Sequence, residues 1–427
     1  MLTLKTIQEH PEEVIRKLQI KQFDAAGLVE QILSLDRERR ELQAGNDLMQ
    51  SELNRLSKSI GEYIRSGKNE EAEKAREETT RLKEQIKNRQ KRHGEVEEEL
   101  RNLLTELPNL PHDSVPPGKG SEDNVVVREG GHLPEKTDGL LPHWELGRRF
   151  GILDFELGNK LTGAGFPVFI GKGARLQRAL IHFFLDEAIK AGYVEYLPPL
   201  MVNEDSAFAT GQLPDKEGQM YALVQDRFYL IPTAEVPVTN FYRDMILDAE
   251  KLPVKNTAYT PCFRREAGSY GKDVRGLNRV HQFDKVEIVR IEHPDRSYEA
   301  LEEMVHHVEE LVKQLALPYR IVRLCGGDMS FTSALTYDFE VFAAAQQKWL
   351  EVSSVSNFES FQANRLKLRL RDPGFKKPIL AHTLNGSALA LPRIVAALLE
   401  NNQKPDAIII PEVLIPYTGF DRIELPG

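Results

Sequence analysis

The residues best placed to do chemistry are an arginine, a glutamate and an aromatic side chain within residues 261–287. The segment opens with Pro-Cys-Phe-Arg-Arg-Glu, continues through a polar loop that contains glycines, and closes with Val-His-Gln-Phe-Asp-Lys-Val-Glu. This pattern predicts an antiparallel hairpin in which Arg264 and Glu266 share one face. Arginine can bind a phosphate through two N–H groups, the carboxylate can accept from an exocyclic amine, and Phe283 can stack on a purine. An exposed hairpin with a solvated ion pair is the alternative, and the long glycine-containing loop favours the nucleotide site.

Composition limits the class of protein. The chain has 427 residues with 41% hydrophobic and 28% charged side chains, which is typical of a globular protein with more than one domain and a long charged helical part. It has no run of 18 apolar residues and no apolar leader, so we expect neither a membrane span nor secretion. Cys262 and Cys325 form no Cys-x-x-Cys pair, so we expect no zinc site and a cytoplasmic location with reduced thiols. The net charge of −9 leaves room for a basic stripe that binds nucleic acid.

A heptad pattern over residues 28–107 predicts two long helices packed as an antiparallel coiled coil. Apolar and small side chains recur at alternating spacings of three and four, with one interruption at a Ser-Gly-Lys-Asn turn. The two series are mirror images about this turn, so Tyr63 is expected opposite Ala72 and Leu28 opposite Leu107. Each helix would be about 60 Å long at about 1.5 Å per residue.

Polar residues interrupt this seam near its middle, where Asn46 is expected opposite Arg89 and Leu42 opposite His93. Such a layer is unfavourable for stability but can fix the register of the helices. Lysine and arginine are spread along the arm with a similar number of acidic residues, so composition alone favours a solvated surface over a nucleic-acid interface.

A proline- and glycine-rich segment, 108–120, is expected to separate an N-terminal helical domain, 1–110, from a second domain, 111–427. The second part lacks the glycine motifs of Rossmann and P-loop nucleotide sites. Its predicted strands and helices show few βαβ alternations, which indicates an α+β fold with an antiparallel sheet flanked by helices. The strands are expected at 227–231, 255–263, 283–290, 319–324, 338–342, 349–354 and 381–385, and the helices at 174–191, 234–244, 296–315, 358–370 and 391–403.

Several segments of the second part together resemble a known enzyme class. Residues 192–199, 263–287 and 385–393 resemble motifs 1, 2 and 3 of class II aminoacyl-tRNA synthetases, and 231–235 resembles a serine-binding Thr-x-Glu strand. With the helical arm in front, the whole chain resembles the bacterial-type seryl-tRNA synthetases. It departs from the general class pattern at Ala388, where motif 3 has a second glycine, and this narrows the space beside the bound ligand.

The resemblance implies a serine–tRNA ligase that converts L-serine and ATP to seryl-adenylate and transfers serine to the 3′ end of tRNA(Ser). It leaves open whether selenocysteine tRNA is also charged. It also implies that Arg264 holds the α-phosphate, that Glu266 binds the adenine amine and that Arg279 reaches the phosphates. Phe283 and Arg393 would enclose the adenine. Arg264 and Arg393 are therefore the expected catalytic residues.

The same resemblance supplies the remaining site residues. The expected L-serine-binding residues are Thr233, Ala234, Glu235, Glu287 and Ser387. The expected ATP-binding residues are Arg264, Arg265, Glu266, Arg279, Val280, Phe283, Glu351, Val352, Ser353, Ser354 and Arg393. Glu351 and Ser354 would also bind Mg²⁺ with hard oxygen ligands. From the residues alone, Glu235 and Glu287 could be ordinary charges at strand ends, Ser387 could cap the helix that follows it, and Cys262 is expected to be a small core residue.

The resemblance further implies a homodimer formed through motif 1, and an arm that contacts tRNA through phosphates and shape. Three alternatives remain open: another class II synthetase of the same subgroup, a related ligase that charges a carrier protein, and a coiled-coil scaffold whose second domain has lost catalysis. The helical arm and the Thr-x-Glu strand argue against the first. A carrier-protein ligase would not need the arm. The joint presence of Arg264, Glu266, Glu351 and Arg393 argues against the scaffold.

Overall fold

The computed structural model of the protein describes residues 1–135, 139–267 and 275–426. Its internal contacts divide the chain into two compact units. The first comprises Met1–Gln19 and Phe23–Pro108, and the second comprises Ile20–Gln22 and Asn109–Gly427.

Heptad periodicity produces the long helices of the first unit, which pack against each other. Each predicted seam position is buried or half-buried, and Gly67 adopts φ +73° at the turn, so the predicted hairpin of helices is confirmed. A short first helix, capped by Thr3 Oγ1, was not predicted. The helices of this unit are α1 (Leu4–Glu9), α2 (Pro11–Ile20), α3 (Ala26–Arg65) and α4 (Asn69–Glu106).

The middle of this hairpin contains polar side chains with incomplete hydrogen bonding. The Arg89 guanidinium lies beside Gly45, where an added Cβ would be 2.2 Å from Nη2, and it donates to the Glu41 carbonyl across the hairpin. Within the described ranges, Asn46 Oδ1, Arg89 Nε and His93 Nε2 are buried without a hydrogen-bond partner. This layer therefore carries the energetic penalty expected for unpaired polar groups.

The second unit is built on a mainly antiparallel sheet, as predicted. Its strands are β1 (Val125–Gly130), β4 (Val194–Glu195), β9 (Val254–Phe263), β10 (Gln282–Glu292), β11 (Tyr319–Arg323), β12 (Leu335–Ala343), β13 (Lys348–Asn357) and β16 (His382–Ala390). Across the residues described, these eight strands lie in the order β1-β11-β12-β13-β16-β10-β9-β4, and only β4 is parallel to its neighbour. Smaller sheets contain β2 (Leu153–Asp154), β3 (Val168–Phe169), β5 (Met201–Asn203), β6 (Ala222–Leu223), β7 (Phe228–Leu230), β8 (Ile246–Asp248), β14 (Arg369–Arg371), β15 (Ile379–Leu380), β17 (Ala407–Ile409) and β18 (Arg422–Glu424).

Amphipathic helices pack against the central sheet and enclose an apolar core that includes Phe183, Phe184 and Phe339. The helices of the second unit are α5 (His143–Arg149), α6 (Phe155–Leu161), α7 (Lys172–Lys190), α8 (Glu204–Thr210), α9 (Glu235–Asn240), α10 (Ser297–Gln314), α11 (Ser360–Leu366), α12 (Leu391–Asn401) and α13 (Ile415–Thr418). Cys262 is fully buried in this unit, and its thiol is free. In the ranges described, no helix combines the length and the apolar character needed to cross a membrane.

Several predicted element boundaries were wrong. The helix expected at 358–370 ends at Leu366, because Lys367 adopts φ +54° and β14 follows. The strand expected at 381–385 continues to Ala390, so Ser387 is a strand residue and not a helix cap. The predicted end of strand β9 at Phe263 is confirmed, so Arg264 and Glu266, which were expected to share one strand face, lie beyond the strand. The glycine-containing loop at 268–271 lies outside the described residues.

Candidate active site

A cavity of about 520 Å³ opens over the central sheet of the second unit. Most of the predicted site residues line it: Thr233, Glu235, Glu287, Ser387, Arg264, Glu266, Arg279, Val280, Phe283, Glu351, Val352, Ser353, Ser354 and Arg393. Ala234 and Arg265 are not in this lining. The Ala234 side chain is fully buried in a small apolar cluster, and Arg265 is exposed with its backbone N–H bonded to the Gln219 carbonyl.

The connection between β9 and β10 supplies one set of charged side chains. Glu266 has φ +47°, so Arg264 and Glu266 leave the regular strand geometry, yet both reach the cavity. The Arg264 guanidinium lies 5.4 Å from the centre of the Phe283 ring, which is a cation–π contact. Arg279 pairs with Glu266 at 3.1 Å. The hairpin therefore brings together two arginines, a carboxylate and an aromatic face.

Arg393 comes from the first turn of α12 and is held by two neighbouring segments. Its Nε donates to the Asn278 carbonyl at 2.9 Å, and its Nη1 donates to the Glu351 carbonyl at 2.7 Å. The Glu351 carboxylate lies 3.5 Å from the same guanidinium. These contacts fix Arg393 between β13 and the segment that precedes β10, and make it the third arginine of the cavity.

Two buried carboxylates, Glu287 and Glu235, give another part of the cavity an acidic character, in contrast to the part that carries the arginines. Glu287 accepts from Thr233 Oγ1 at 3.0 Å and pairs with Lys285 at 2.7 Å, and it faces Ser387 across the β10–β16 pairing. Glu235 is only 7% exposed. The charge on Glu287 is thus matched by Lys285, while Glu235 depends on neutral donors.

One neutral donor to Glu235 is the Gln362 side chain on α11, at 2.6 Å, and Asn385 is another. Burial, and next the nearby Glu287 carboxylate, raise the pKa of Glu235 to about 7. A cation placed against Glu235 would reverse this effect by stabilising the ionised form. The site is therefore suited to an ammonium group.

A second acidic position lies on β12 and β13. Asp338 is opposite Ser354 in the strand register, and burial followed by the Glu351 carboxylate raises the pKa of Asp338 well above its usual value. Asp338 Oδ1 is shielded from solvent and has no hydrogen-bond partner among the residues the structure describes. Oxygen ligands without a counter-charge are a suitable environment for a divalent cation.

One wall of the cavity is a turn that carries Ser330 and Thr332. Lys21 Nζ donates to the carbonyls of Ser330 and Ser333 at 2.8 and 2.7 Å, and burial lowers the pKa of Lys21 to about 7. Asn109 Nδ2 donates to the Thr332 carbonyl at 2.9 Å. Residues close to the two ends of the helical hairpin in sequence therefore hold the same turn.

Sequence reasoning missed several residues that line the cavity or support its walls. Lys285 was recognisable in principle, since it precedes Glu287 by two positions on the same strand face. Asp338, Asn278 and Gln362 carry no local signal, because their relevance depends on contacts with distant segments. Patterns of spacing alone could not have identified them.

Comparison with protein families gives two matches that together span most of the chain. Residues 1–111 match the seryl-tRNA synthetase N-terminal domain. Residues 221–402 match the tRNA synthetase class II core domain (G, H, P, S and T). The helical arm and the cavity-bearing unit thus each have a counterpart.

Individual relatives match over nearly their whole length. A serine–tRNA ligase of Salinibacter ruber is 53% identical over 99% of both chains, and one of Nostoc sp. is 46% identical over 98% of this chain and 99% of its own. The crystal structure of seryl-tRNA synthetase from Pyrococcus horikoshii complexed with ATP superposes with a TM-score of 0.94 at 34% identity, covering all of both chains. The chain therefore belongs to the seryl-tRNA synthetase family of class II aminoacyl-tRNA synthetases.

Proposed function

We propose that this member of the family is a serine–tRNA ligase that uses the cavity for both steps of its reaction. The observation that carries the proposal is the division of one cavity into a part with Arg264, Arg279 and Arg393 and a part with two buried carboxylates. The first suits the anionic triphosphate of ATP, and the second suits the ammonium and hydroxyl groups of serine.

In the first step, a serine carboxylate oxygen bonds to the α-phosphorus of ATP, and the bond from that phosphorus to the bridging oxygen breaks to release pyrophosphate. The reaction requires positioning and neutralisation of phosphate charge more than covalent chemistry by the protein. Arg264 binds the α-phosphate, and Arg279 binds the remaining phosphates. Arg393 contacts the adenine. Arg264 lies over the Phe283 ring and Arg279 pairs with Glu266, so the hairpin presents the phosphate-binding and adenine-binding groups side by side.

In the second step, a terminal ribose hydroxyl of tRNA bonds to the carbonyl carbon of the adenylate, and AMP leaves. The serine side chain is recognised by hydrogen bonds in the pocket of Thr233, Glu287 and Ser387. Alanine would leave these polar groups unpaired, whereas the extra methyl group of threonine would meet the wall of the pocket.

Mg²⁺ fits the position formed by Glu351, Ser354 and the unpaired oxygen of Asp338. Among the described residues, no three His, Cys, Asp or Glu side chains are grouped closely enough to hold a metal by themselves. This agrees with the usual behaviour of Mg²⁺, which takes many of its ligands from substrate phosphates and water. When bound, the ion would neutralise charge that develops on the phosphates.

The function is tested by charging a mixed tRNA pool with radioactive serine. We expect ATP- and serine-dependent aminoacylation, and kcat/KM for adenylate formation should be higher for serine than for alanine or threonine by at least about 100-fold. Exchange of pyrophosphate driven equally well by threonine, or by another amino acid, would show that the pocket has a different substrate.

We also propose a homodimer, supported by exposed apolar side chains around the edge strand β4. Val194, Leu197 and Met201 are 56%, 86% and 49% exposed, and such patches favour association. Sedimentation should give twice the monomer mass of 48.5 kDa. Changing Val194 and Leu197 together to aspartate should shift the protein toward the monomer, and a wild-type monomer at micromolar concentration would contradict the proposal.

We propose that the chain has two functional domains. Residues 1–110 bind tRNA(Ser), and residues 111–427 carry out catalysis. The long hairpin of α3 and α4 has a core of its own, and this supports a separate role. The buried free thiols of Cys262 and Cys325 support a cytoplasmic location, where cysteines remain reduced.

A further inference from the structure

Glu400, on α12, is fully buried and outside the cavity lining, and it accepts an unusually complete set of hydrogen bonds. Its Oε1 accepts from the backbone and ring nitrogens of His143 at 3.0 and 2.8 Å, and from Gln346 Nε2 at 2.8 Å. Its Oε2 accepts from the backbone N–H groups of Ala345 and Gln346, both at 3.1 Å. A buried carboxylate with five donors is a fixed point in the structure, because moving any donor would leave a charge poorly solvated.

His143 extends this arrangement toward the cavity. Its Nδ1 donates to Glu400, while its Nε2 accepts from the Leu277 backbone N–H at 2.8 Å. The geometry therefore assigns a neutral ring with the proton on Nδ1, since a proton on Nε2 would oppose the Leu277 N–H. The His143 side chain is fully buried, so water could not replace its contact with the Leu277 N–H unless the surrounding structure rearranged.

The backbone at 276–278 is held tightly by this arrangement. Gly276 adopts φ +65°, and a Cβ there would lie 2.2 Å from His143 Nε2. Asn278 Nδ2 donates to Gln346 Oε1 at 2.8 Å, which makes a second link to the same network. Leu277 and Asn278 line the cavity, and the Asn278 carbonyl accepts from Arg393 Nε at 2.9 Å.

We propose that His143, Glu400 and Gln346 are positioning residues for the ATP-binding part of the cavity. They hold 276–278 so that the Asn278 carbonyl orients the guanidinium of Arg393. The inference rests on the proposed function, since it takes Arg393 to be a nucleotide ligand. The network should therefore affect the binding of ATP. It should leave the binding of serine unchanged, because the serine pocket is built from β10, β16 and the start of α9.

Two substitutions of His143 separate its contacts. In His143→Gln, the amide oxygen can reach the former Nε2 position and accept from Leu277 N–H. In His143→Asn, the amide can donate to Glu400 but is too short to reach Leu277. We expect His143→Asn to raise the KM for ATP in serine-dependent pyrophosphate exchange at least tenfold while the KM for serine stays within twofold, and His143→Gln to recover most of this loss.

His307→Asn is the matched control, because His307 is a half-buried histidine on α10 that is not part of the cavity lining. It should leave both KM values within twofold of wild type. Thermal unfolding of each variant reports whether the fold is retained. An equal rise of both KM values in folded His143→Asn, or an unchanged KM for ATP, would overturn the proposal.

Gln346→Ala keeps the test decisive if His143→Asn does not fold, because Gln346 is only partly buried. We expect a three- to tenfold rise in the KM for ATP. If the network acts through Arg393, adding Gln346→Ala to Arg393→Ala should cause no further rise, since the interaction has already been removed. Full additivity would contradict the inference, whereas failure of wild type to catalyse serine-dependent exchange would instead contradict the proposed function.

Discussion

At the scale of single residues, each of the three cavity arginines contacts a partner from the cavity wall or its immediate surroundings. Arg279 holds Glu266, Arg264 covers Phe283, and Arg393 is bound to two backbone carbonyls. Arg393 is therefore held by main-chain carbonyls, whereas Arg264 and Arg279 are held by side-chain contacts within the hairpin.

Arg264→Ala should abolish adenylate formation while leaving the protein folded. Removal of one charge-stabilising donor costs about 3–4 kcal/mol in the transition state, or a factor of several hundred in rate. Serine-dependent pyrophosphate exchange measures this loss, and Arg227→Ala, an exposed arginine outside the cavity lining, is the control. Exchange within about threefold of wild type in folded Arg264→Ala would refute the assignment.

The titration of Glu235 predicts how serine binding responds to pH. Because its pKa is raised to about 7, Glu235 loses its negative charge as the pH falls through 7, and the site then attracts the serine ammonium group less strongly. The KM for serine should rise from pH 8 to pH 6, approaching tenfold per pH unit below the pKa, while the KM for ATP changes little.

Glu235→Gln supplies the comparison for this titration. The variant lacks the titrating carboxylate, so its weaker serine binding should not vary over the same pH range. A similar pH dependence in the variant would assign the titration to another group.

At the scale of elements, sequence periodicity was sufficient to predict the helical hairpin and the main strands. Period-two and heptad patterns are local, so they predicted β9, β10 and both long helices to within a few residues. The boundaries of α11 and β16 were missed because backbone conformations such as that of Lys367 are set by tertiary packing. The network of His143, Glu400 and Gln346 was invisible for the same reason, since its members are widely separated in sequence.

The polar layer of the hairpin should limit its local stability. Replacing Asn46 and Arg89 together with leucine removes two unpaired polar atoms, and each such atom costs about 1–3 kcal/mol. We expect amide hydrogen exchange in the middle of α3 and α4 to slow by at least about fivefold. Asn54→Leu with Lys83→Leu, at exposed positions of the same helices, should produce no comparable protection. Unchanged exchange in the first variant would mean that the layer is not a weak point.

At the scale of the whole molecule, the hairpin should serve tRNA and not adenylate chemistry. A shortened protein in which a short glycine-rich turn joins Leu42 to His93 keeps the predicted helix pairing and the base of the hairpin. Serine-dependent pyrophosphate exchange should stay within about threefold of wild type, while tRNA charging falls by orders of magnitude as phosphate contacts are lost.

Salt provides an independent measure of the same role. Charging by the intact protein should weaken steeply between about 50 and 200 mM salt, because binding to phosphates releases counterions, whereas exchange should not. Normal charging by the shortened protein would instead identify the hairpin as a spacer or as a site for another partner.

The turn at 330–333 anchors the chain on both sides of the helical hairpin, which matters for replacing that hairpin with one from another protein. Lys21 and Asn109 both bind it, so the chain leaves and returns at one anchored place, and the segment between them is a closed loop. The entropic contribution to the free energy of closing a flexible loop rises by only about 0.6 kcal/mol for each doubling of the loop's length. Helical hairpins of quite different lengths could therefore be grafted between Lys21 and Asn109. The melting temperature of the second unit should change little as the hairpin length changes.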